Sequence, residues 1–282
     1  MGRLAVAVAV VVAAVAAAAL WESTTGADEA TSADRPQHVH GLGLDPADDA
    51  LLVATHTGLW KLNPGEDKAA RIGDSRQDTM GFTVVGPNRF LGSGHPDLRD
   101  DLPSHLGLIE STDAGMTWRS VSLLGEADFH VLRFVNGRLY GYDSNTGRLL
   151  VSDDVGRSWA ERVAPGLILD LAVHPQNTER LVATTSRGLT RSDDGGRTWT
   201  TIGGALGYLA WPTDSKLYLV DTRGTVHVSA DSGATLRRVG SLGSEPAALL
   251  AARDTELYVA LHSSAIRQSV DGGVTWTTRT TG

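Results

Sequence analysis

Residues 192–199 read Ser-Asp-Asp-Gly-Gly-Arg-Thr-Trp, and the frame Ser-x-Asp-x-Gly-x-Thr-Trp recurs along the chain. The other copies are Ser111–Trp118, Ser152–Trp159, Ser229–Leu236 and Ser269–Trp276, with Ser158 replacing Thr in one and Leu236 replacing Trp in another. Successive copies start 41, 40, 37 and 40 residues apart, by subtraction of their first residue numbers. A period near 40 residues matches one four-stranded propeller blade. Within each copy the Asp carboxylate can accept hydrogen bonds from the amides of its own turn. The Gly supplies a conformation closed to other residues, and the Trp ring buries a large apolar face that staples the turn to its blade. Asp113, Asp154, Asp194, Asp231 and Asp271 are therefore read as structural, not chemical.

A sixth, degenerate unit precedes these five. His40–Lys61 aligns with Asp170–Arg191 through a shared Pro, a Leu-Val-Ala-Thr run and a Gly-Leu pair, and its own turn has decayed to Asn63–Lys68. The expectation is an all-β propeller of about six four-stranded blades over residues 38–282. The blades fall at 38–77, 78–124, 125–165, 166–204, 205–241 and 242–282, and an insertion, Gly94–Leu106, lies in the second. No strand is left over to complete another blade and close the ring.

Composition bounds the class. The chain has 282 residues, 32 of them Gly, and a net charge of -8. That charge, with no basic cluster longer than Arg237–Arg238, argues against a nucleic-acid partner. Leu4–Leu20 is an unbroken apolar stretch behind Arg3, followed by a polar segment. Residues 1–27 are read as a signal peptide, with an uncleaved membrane anchor as the alternative, and 28–37 as a linker. Both place the domain outside the cytoplasm, secreted or anchored only through this segment. The absence of cysteine excludes a lipid-modified Cys and any disulfide.

The five copies resemble the Asp box of BNR-repeat propellers, the group that includes sialidases. The segments Gln37-His-Val-His-Gly-Leu and Leu124-Gly-Glu-Ala-Asp-Phe-His look most like exported glycosyl hydrolase-like proteins of uncharacterised substrate. The resemblance spans nearly all of residues 38–282. It implies that each box joins the third and fourth strands of a blade, on the face away from the usual binding site. A sialidase would add an Arg-Ile-Pro motif, an arginine triad, an Asp acid and a Tyr–Glu pair. Here Arg71-Ile72 is followed by Gly73, and no Arg begins an inner strand, so sialidase activity is not expected.

With the boxes at the bottom, the top face consists of the starts of the inner strands and the turns between second and third strands. Inner strands are expected to start near His38, Thr79, Asp128, Leu169, Tyr208 and Pro246. Seven of the nine histidines then fall on the top: His38, His40, His56, His95, His105, His130 and His262. Side chains at i and i+2 of a strand share a face, which groups His38 with His40 and Asp128 with His130. Imidazoles with a carboxylate suit Zn²⁺ or Cu²⁺. The expected metal ligands are His38, His40, Asp128 and His130, with His56 behind them. His95, Asp97 and His105 are read as a lid. Tyr142 and Tyr208, with Trp60 and Trp211, are candidates to stack on a sugar. Asp128, Asp143, Asp221 and Glu245 are the carboxylates available to a glycosidase, which needs a flanking pair. Three functions follow: a metal- or small-ligand-binding propeller, a carbohydrate-active enzyme or glycan binder, and an envelope scaffold for protein partners.

Overall fold

The structure, a computed structural model, describes residues 35–281. The signal segment and residues 28–34 of the linker lie outside the described residues. Every regular element described is a strand. Twenty-four strands form six antiparallel sheets of four. Blade 1 comprises β1 (Val39–Leu44), β2 (Leu51–Thr55), β3 (Gly58–Leu62) and β4 (Ala70–Arg71). Blade 2 comprises β5 (Asp78–Gly86), β6 (Arg89–His95), β7 (Leu108–Ser111) and β8 (Arg119–Ser122). Blade 3 runs from β9 (Phe129–Val135) through β10 (Arg138–Asp143) and β11 (Arg148–Ser152) to β12 (Ala160–Arg162). Blade 4 has β13 (Ile168–Val173), β14 (Leu181–Thr185), β15 (Gly188–Ser192) and β16 (Thr200–Gly203). Blade 5 has β17 (Gly207–Thr213), β18 (Lys216–Asp221), β19 (Thr225–Ser229) and β20 (Arg237–Ser241). Blade 6 has β21 (Pro246–Ala251), β22 (Leu257–Leu261), β23 (Ile266–Ser269) and β24 (Thr277–Thr280). Inner strands begin within one residue of the positions expected from the repeat.

Second strands such as β2 and β14, Leu-Leu-Val-Ala-Thr and Leu-Val-Ala-Thr-Thr, are buried along their whole length. They are sandwiched between neighbouring blades, which explains their continuous apolar runs. Outer strands such as β16 are largely exposed and rich in Thr. The core is divided among six clusters, each bridging two adjacent blades.

The five repeated turns share one hydrogen-bond pattern. The buried Ser Oγ accepts from the Gly amide at 2.7–2.9 Å. It donates to Asp Oδ1 at 2.7–2.8 Å. The same Oδ1 accepts the amide of the Thr or Ser four residues on from the Ser's partner Asp, at 2.8–2.9 Å. These donors, led by the hydroxyls of Ser158, Thr198 and Thr275, hold Asp154, Asp194 and Asp271 down at about 2.

The turns also face outward from their own blades. Each turn Gly has φ of 83–89°. A Cβ on Gly156 would meet Leu108 of blade 2 at 2.0 Å, and one on Gly273 would meet Val226 of blade 5 at 2.6 Å. Gly115, Gly196 and Gly233 approach Leu59, Leu149 and Ile202 of their preceding blades in the same way. Trp159 Nε1 donates to Ser122 Oγ and Trp199 Nε1 to the Val163 carbonyl, again toward the preceding blade. The Trp staple expected within one blade therefore joins two. Trp199 is only half-buried, so its truncation removes less than a core Trp would.

Ring closure needs no shared sheet. Blade 1 has no such turn to seat on blade 6. Instead Val39, Trp60 and Leu62 pack with Tyr258, Ala260 and Ile266. Arg279 of blade 6 donates to the carbonyls of Asn63 and Glu66 in the degenerate turn of blade 1.

If seating of the turn Gly holds the blades together, Gly156→Ala should lower stability by about 2–4 kcal/mol, from overpacking plus a left-handed residue. Gly65→Ala, with similar φ but open space around it, should cost only about 1–2 kcal/mol. Urea unfolding of both variants checks this, and equal losses would remove the close approach from the account.

Candidate functional site

The inner strands reach the channel mouth with a shared irregularity. Register shifts interrupt the pairing of β1, β5, β9, β13 and β21 with their neighbours near the top. The skipped residues are His40, Met80, His130, Leu169 and Ala247. A bulge re-aims one side chain and breaks strict alternation. These five, with Tyr208 from blade 5, line a cavity of about 150 Å³ at the top of the channel. The pairing also shows that His40 corresponds to Leu169 and not to Asp170, because the inner strands are displaced by one residue in the gapless alignment.

Two groups of histidines assemble around this mouth. In the first, His56 Nδ1 lies 2.6 Å from Asp78 Oδ2 and His40 Nε2 lies 3.5 Å from Asp78 Oδ1. The His56 ring stands edge-on to those of His38 and His40, with centroids 5.0 and 4.7 Å apart. His38 precedes β1 in a left-handed conformation, φ 51°, and is exposed. One ligand atom from each of His40, His56 and Asp78 lies within 4.8 Å of the others. His40 Nε2 and Asp78 Oδ1 are buried without a hydrogen-bond partner. Burial is the main force on His40. With the nearby charges of His56, His130 and His38 it outweighs Asp78 and lowers the ring to about 4. His56 is raised, because Asp78 accepts its proton and outweighs partial burial.

In the second group, Asp128 Oδ2 lies 2.9 Å from His130 Nε2 and 3.8 Å from His95 Nε2. The His95 and His105 rings are tilted 49° to each other, with centroids 5.6 Å apart. Burial pushes the Asp128 carboxyl up, but the His130 hydrogen bond and the charges of His130, His95 and His105 prevail and lower it. The four residues expected as one ligand set thus divide: His38 and His40 gather around His56 and Asp78, while Asp128 and His130 gather with the insertion histidines. Asp78 was missed. It starts β5, one residue ahead of the expected start, and attention to histidines passed over it.

The remaining candidates are mostly committed elsewhere. Asp143 is fully buried and serves its turn: it accepts from the amides of Asp128 and Asn145, from Thr146 Oγ and from Arg148. Asp221 accepts from the amides of Arg223 and Thr225. Glu245 is exposed at the top of blade 6. Asp97 turns from the mouth to Arg99 and the Arg76 amide, and Arg99 holds its carboxyl far below the usual range. The insertion is thereby tied to residues 74–76, so Asp97 anchors it and does not cover the site. Trp60 is buried under Arg71, 4.2 Å away, and Trp211 packs edge-on against His174. Tyr142 is buried as well. Tyr208 alone of these aromatics lines the cavity. Burial and the nearby Asp170 push its hydroxyl up to about 12.

Arg133 Nη2 donates to Asp170 Oδ1 at 2.5 Å, and its Nε donates to the Leu171 carbonyl. Asp170 Oδ2 accepts the Leu209 amide, linking blades 3, 4 and 5. Complete burial nevertheless pushes the Asp170 carboxyl up. Sequence reasoning overlooked this pair, since Arg133 lies mid-strand.

No family model matches the chain. A xyloglucanase of a Paenibacillus species is 30% identical over 210 residues, 66% of this chain and 19% of the relative. The chain thus spans about a fifth of that relative's length. Among solved structures, YCF48 bound to a D1 peptide superposes with a TM-score of 0.55 at 16% identity, covering 87% of this chain and 83% of that one. The GH74 xyloglucanase from Xanthomonas campestris gives 0.56 at 17% identity, covering 87% and 45%. At these identities the likeness is one of fold.

Ring-proton NMR from pH 3 to 9 should show His40 titrating near 4 and His56 titrating above its ordinary 6.5. Asp78→Asn should bring His56 down. A His40 midpoint near 6.5 would mean that the ring is solvated and not held in the channel mouth.

Proposed function

We propose that this propeller binds a divalent transition-metal ion, Zn²⁺ or Cu²⁺, at the top of its channel through His40, His56 and Asp78. The observation that carries this reading is the convergence of His40, His56 and Asp78, one ligand atom of each within 4.8 Å of the others, with His40 Nε2 and Asp78 Oδ1 buried 3.5 Å apart and neither in a hydrogen bond. Neutral imidazole and carboxylate are the donors such ions take. Three protein ligands leave a position open toward the cavity, where a small ligand or water completes the coordination. His38, exposed beside His56, is placed to add a fourth ligand by side-chain rotation. The apolar segment at residues 4–20 supports a location outside the cytoplasm, where such an ion would be met.

A second reading is glycoside hydrolysis, favoured by the similarity to the xyloglucanase. Asp78 and Asp128 are the carboxylates at the mouth that a substrate would meet. The YCF48 neighbour, solved with a D1 peptide, favours a protein partner as a third.

Calorimetric titration of the metal-free protein with Zn²⁺ and Cu²⁺ should show saturable binding. Asp78→Asn and His40→Ala should each weaken it by roughly 100-fold, about 2.8 kcal/mol. Binding that is absent, or unchanged in both variants, contradicts the metal reading. Incubation with xyloglucan tests the second reading: release of reducing ends that is lost in Asp128→Asn supports hydrolysis, and no release removes it.

A further inference from the structure

We propose that the outer part of blade 2 is a docking groove for an extended segment of a partner polypeptide, apolar and basic in character, that adds to β8 as a further strand. The groove is separate from the channel mouth, and it stands or falls independently of the metal reading.

The groove exists because blade 1 gives its neighbour little cover. In later blades the last residue of the repeated turn shares a cluster with the outer strand of the blade before it: Trp159 with Val121, Leu236 with Ile202 and Trp276 with Val239. Blade 1 ends in β4, two residues long and shorter than every other outer strand. From that side only Ile72, just past β4, joins the cluster against which Trp118 packs. Trp159 and Trp199 donate to the preceding blade, while Trp118 Nε1 makes no hydrogen bond among the described residues. A cavity of about 340 Å³ opens here, walled chiefly by Leu102, Leu106, Ile109, Met116, Trp118 and Leu124. Leu102, Met116 and Leu124 are 46, 55 and 38% exposed. Large apolar side chains left open around one cavity mark an interaction site, which scattered ones do not.

Shape and charge select the occupant. β8 is the edge strand of its sheet, and an edge offers N–H and C=O groups to an added strand. Ile109 of β7 and Ser120 of β8 are paired, and both line the cavity. The cavity therefore lies on the sheet face toward which alternate side chains of an added strand point. Arg99 is held by buried Asp97 and Arg119 by buried Glu110. That leaves exposed Asp100 and Asp101 as the rim charges outside an ion pair, and they call for Lys or Arg in the occupant. Residues 22–34 of this chain carry four acidic side chains, no basic one and nothing apolar larger than Ala, so they do not match. A second copy would bring the same acidic rim against itself. The walls are set before binding, which lowers the ordering cost: Arg99 donates to the Asp74 carbonyl, Asp97 accepts the Arg76 amide, and Gly125 donates to the His105 carbonyl.

The test uses the full chain, immobilised and panned against short random peptides displayed on phage, with Met116→Glu as the counter-selection target. Enriched peptides are synthesised with a fluorophore and their binding is read by anisotropy. They should carry large apolar residues at alternating positions together with Lys or Arg. Leu102→Asp and Met116→Glu should each weaken binding by roughly tenfold or more. The double change Asp100→Asn and Asp101→Asn should weaken it by roughly two- to fivefold, and Asp78→Asn should leave it unchanged. Circular dichroism checks folding, and Leu102→Asp takes the place of Met116→Glu if the latter misfolds. No enrichment over the counter-selection target, or binding equal in all variants, overturns the groove. Acidic selected sequences overturn the proposed partner. A dimer seen by light scattering and dissociated by Met116→Glu gives the groove to a second copy and overturns it as well.

Discussion

The glycine of each repeated turn packs against the preceding blade, and at Gly115, Gly156 and Gly273 a Cβ would come within 3.0 Å of a side chain there. This contact fixes how closely successive blades approach, and everything inward of it follows. A Ser hydroxyl and an Asp carboxylate hold the turn so that its Gly and Trp present to the neighbour. The interblade clusters then fill the remaining space with Leu, Val and Ile. The seam between blades 6 and 1 shows the same requirement met by other means. Gly65 in the decayed turn of blade 1 has nothing within 4 Å of its would-be Cβ, and a guanidinium from Arg279 satisfies the turn's carbonyls from across the joint.

Six inner strands brought this close cannot all keep regular pairing up to the rim. Five of them shed a residue from the ladder near the top, and each shed residue points into the channel. Two of the five are histidines. The bulge thereby converts a packing irregularity into a ring of side chains around a small polar mouth. His40 is held neutral by burial, with Asp78 beside it, and Asp128 is held ionised by the imidazoles around it. Arg133 and Asp170 line the same cavity and bind blades 3, 4 and 5 together.

Much of the architecture was legible from the chain. The 40-residue period gave blade number and boundaries, because each turn is a local device in which Ser, Asp, Gly and a Thr or Ser hydroxyl group make the same set of hydrogen bonds. The placement of His56 and His105 between second and third strands, with His95 at the end of β6, followed from the same frame. The side-chain directions did not. The pairs Asp128 with His130 and His38 with His40 do assemble as alternation grouped them, but which neighbours each pair meets depends on bulges and on the left-handed His38, set by long-range packing that no local pattern records. Asp78 was hidden by a one-residue shift. Asp143 and Asp221 looked available until their carboxylates proved to be the acceptors that hold their own turns.

Under the proposed function, His40 Nε2 and Asp78 Oδ1 at the channel mouth bind a metal ion. Crystals grown with Zn²⁺ and measured on both sides of the zinc absorption edge test it most directly. An anomalous peak about 2 Å from His40 Nε2 and from Asp78 Oδ1 is expected. An empty mouth at saturating zinc, with His40 and Asp78 bridged only by water, would contradict it.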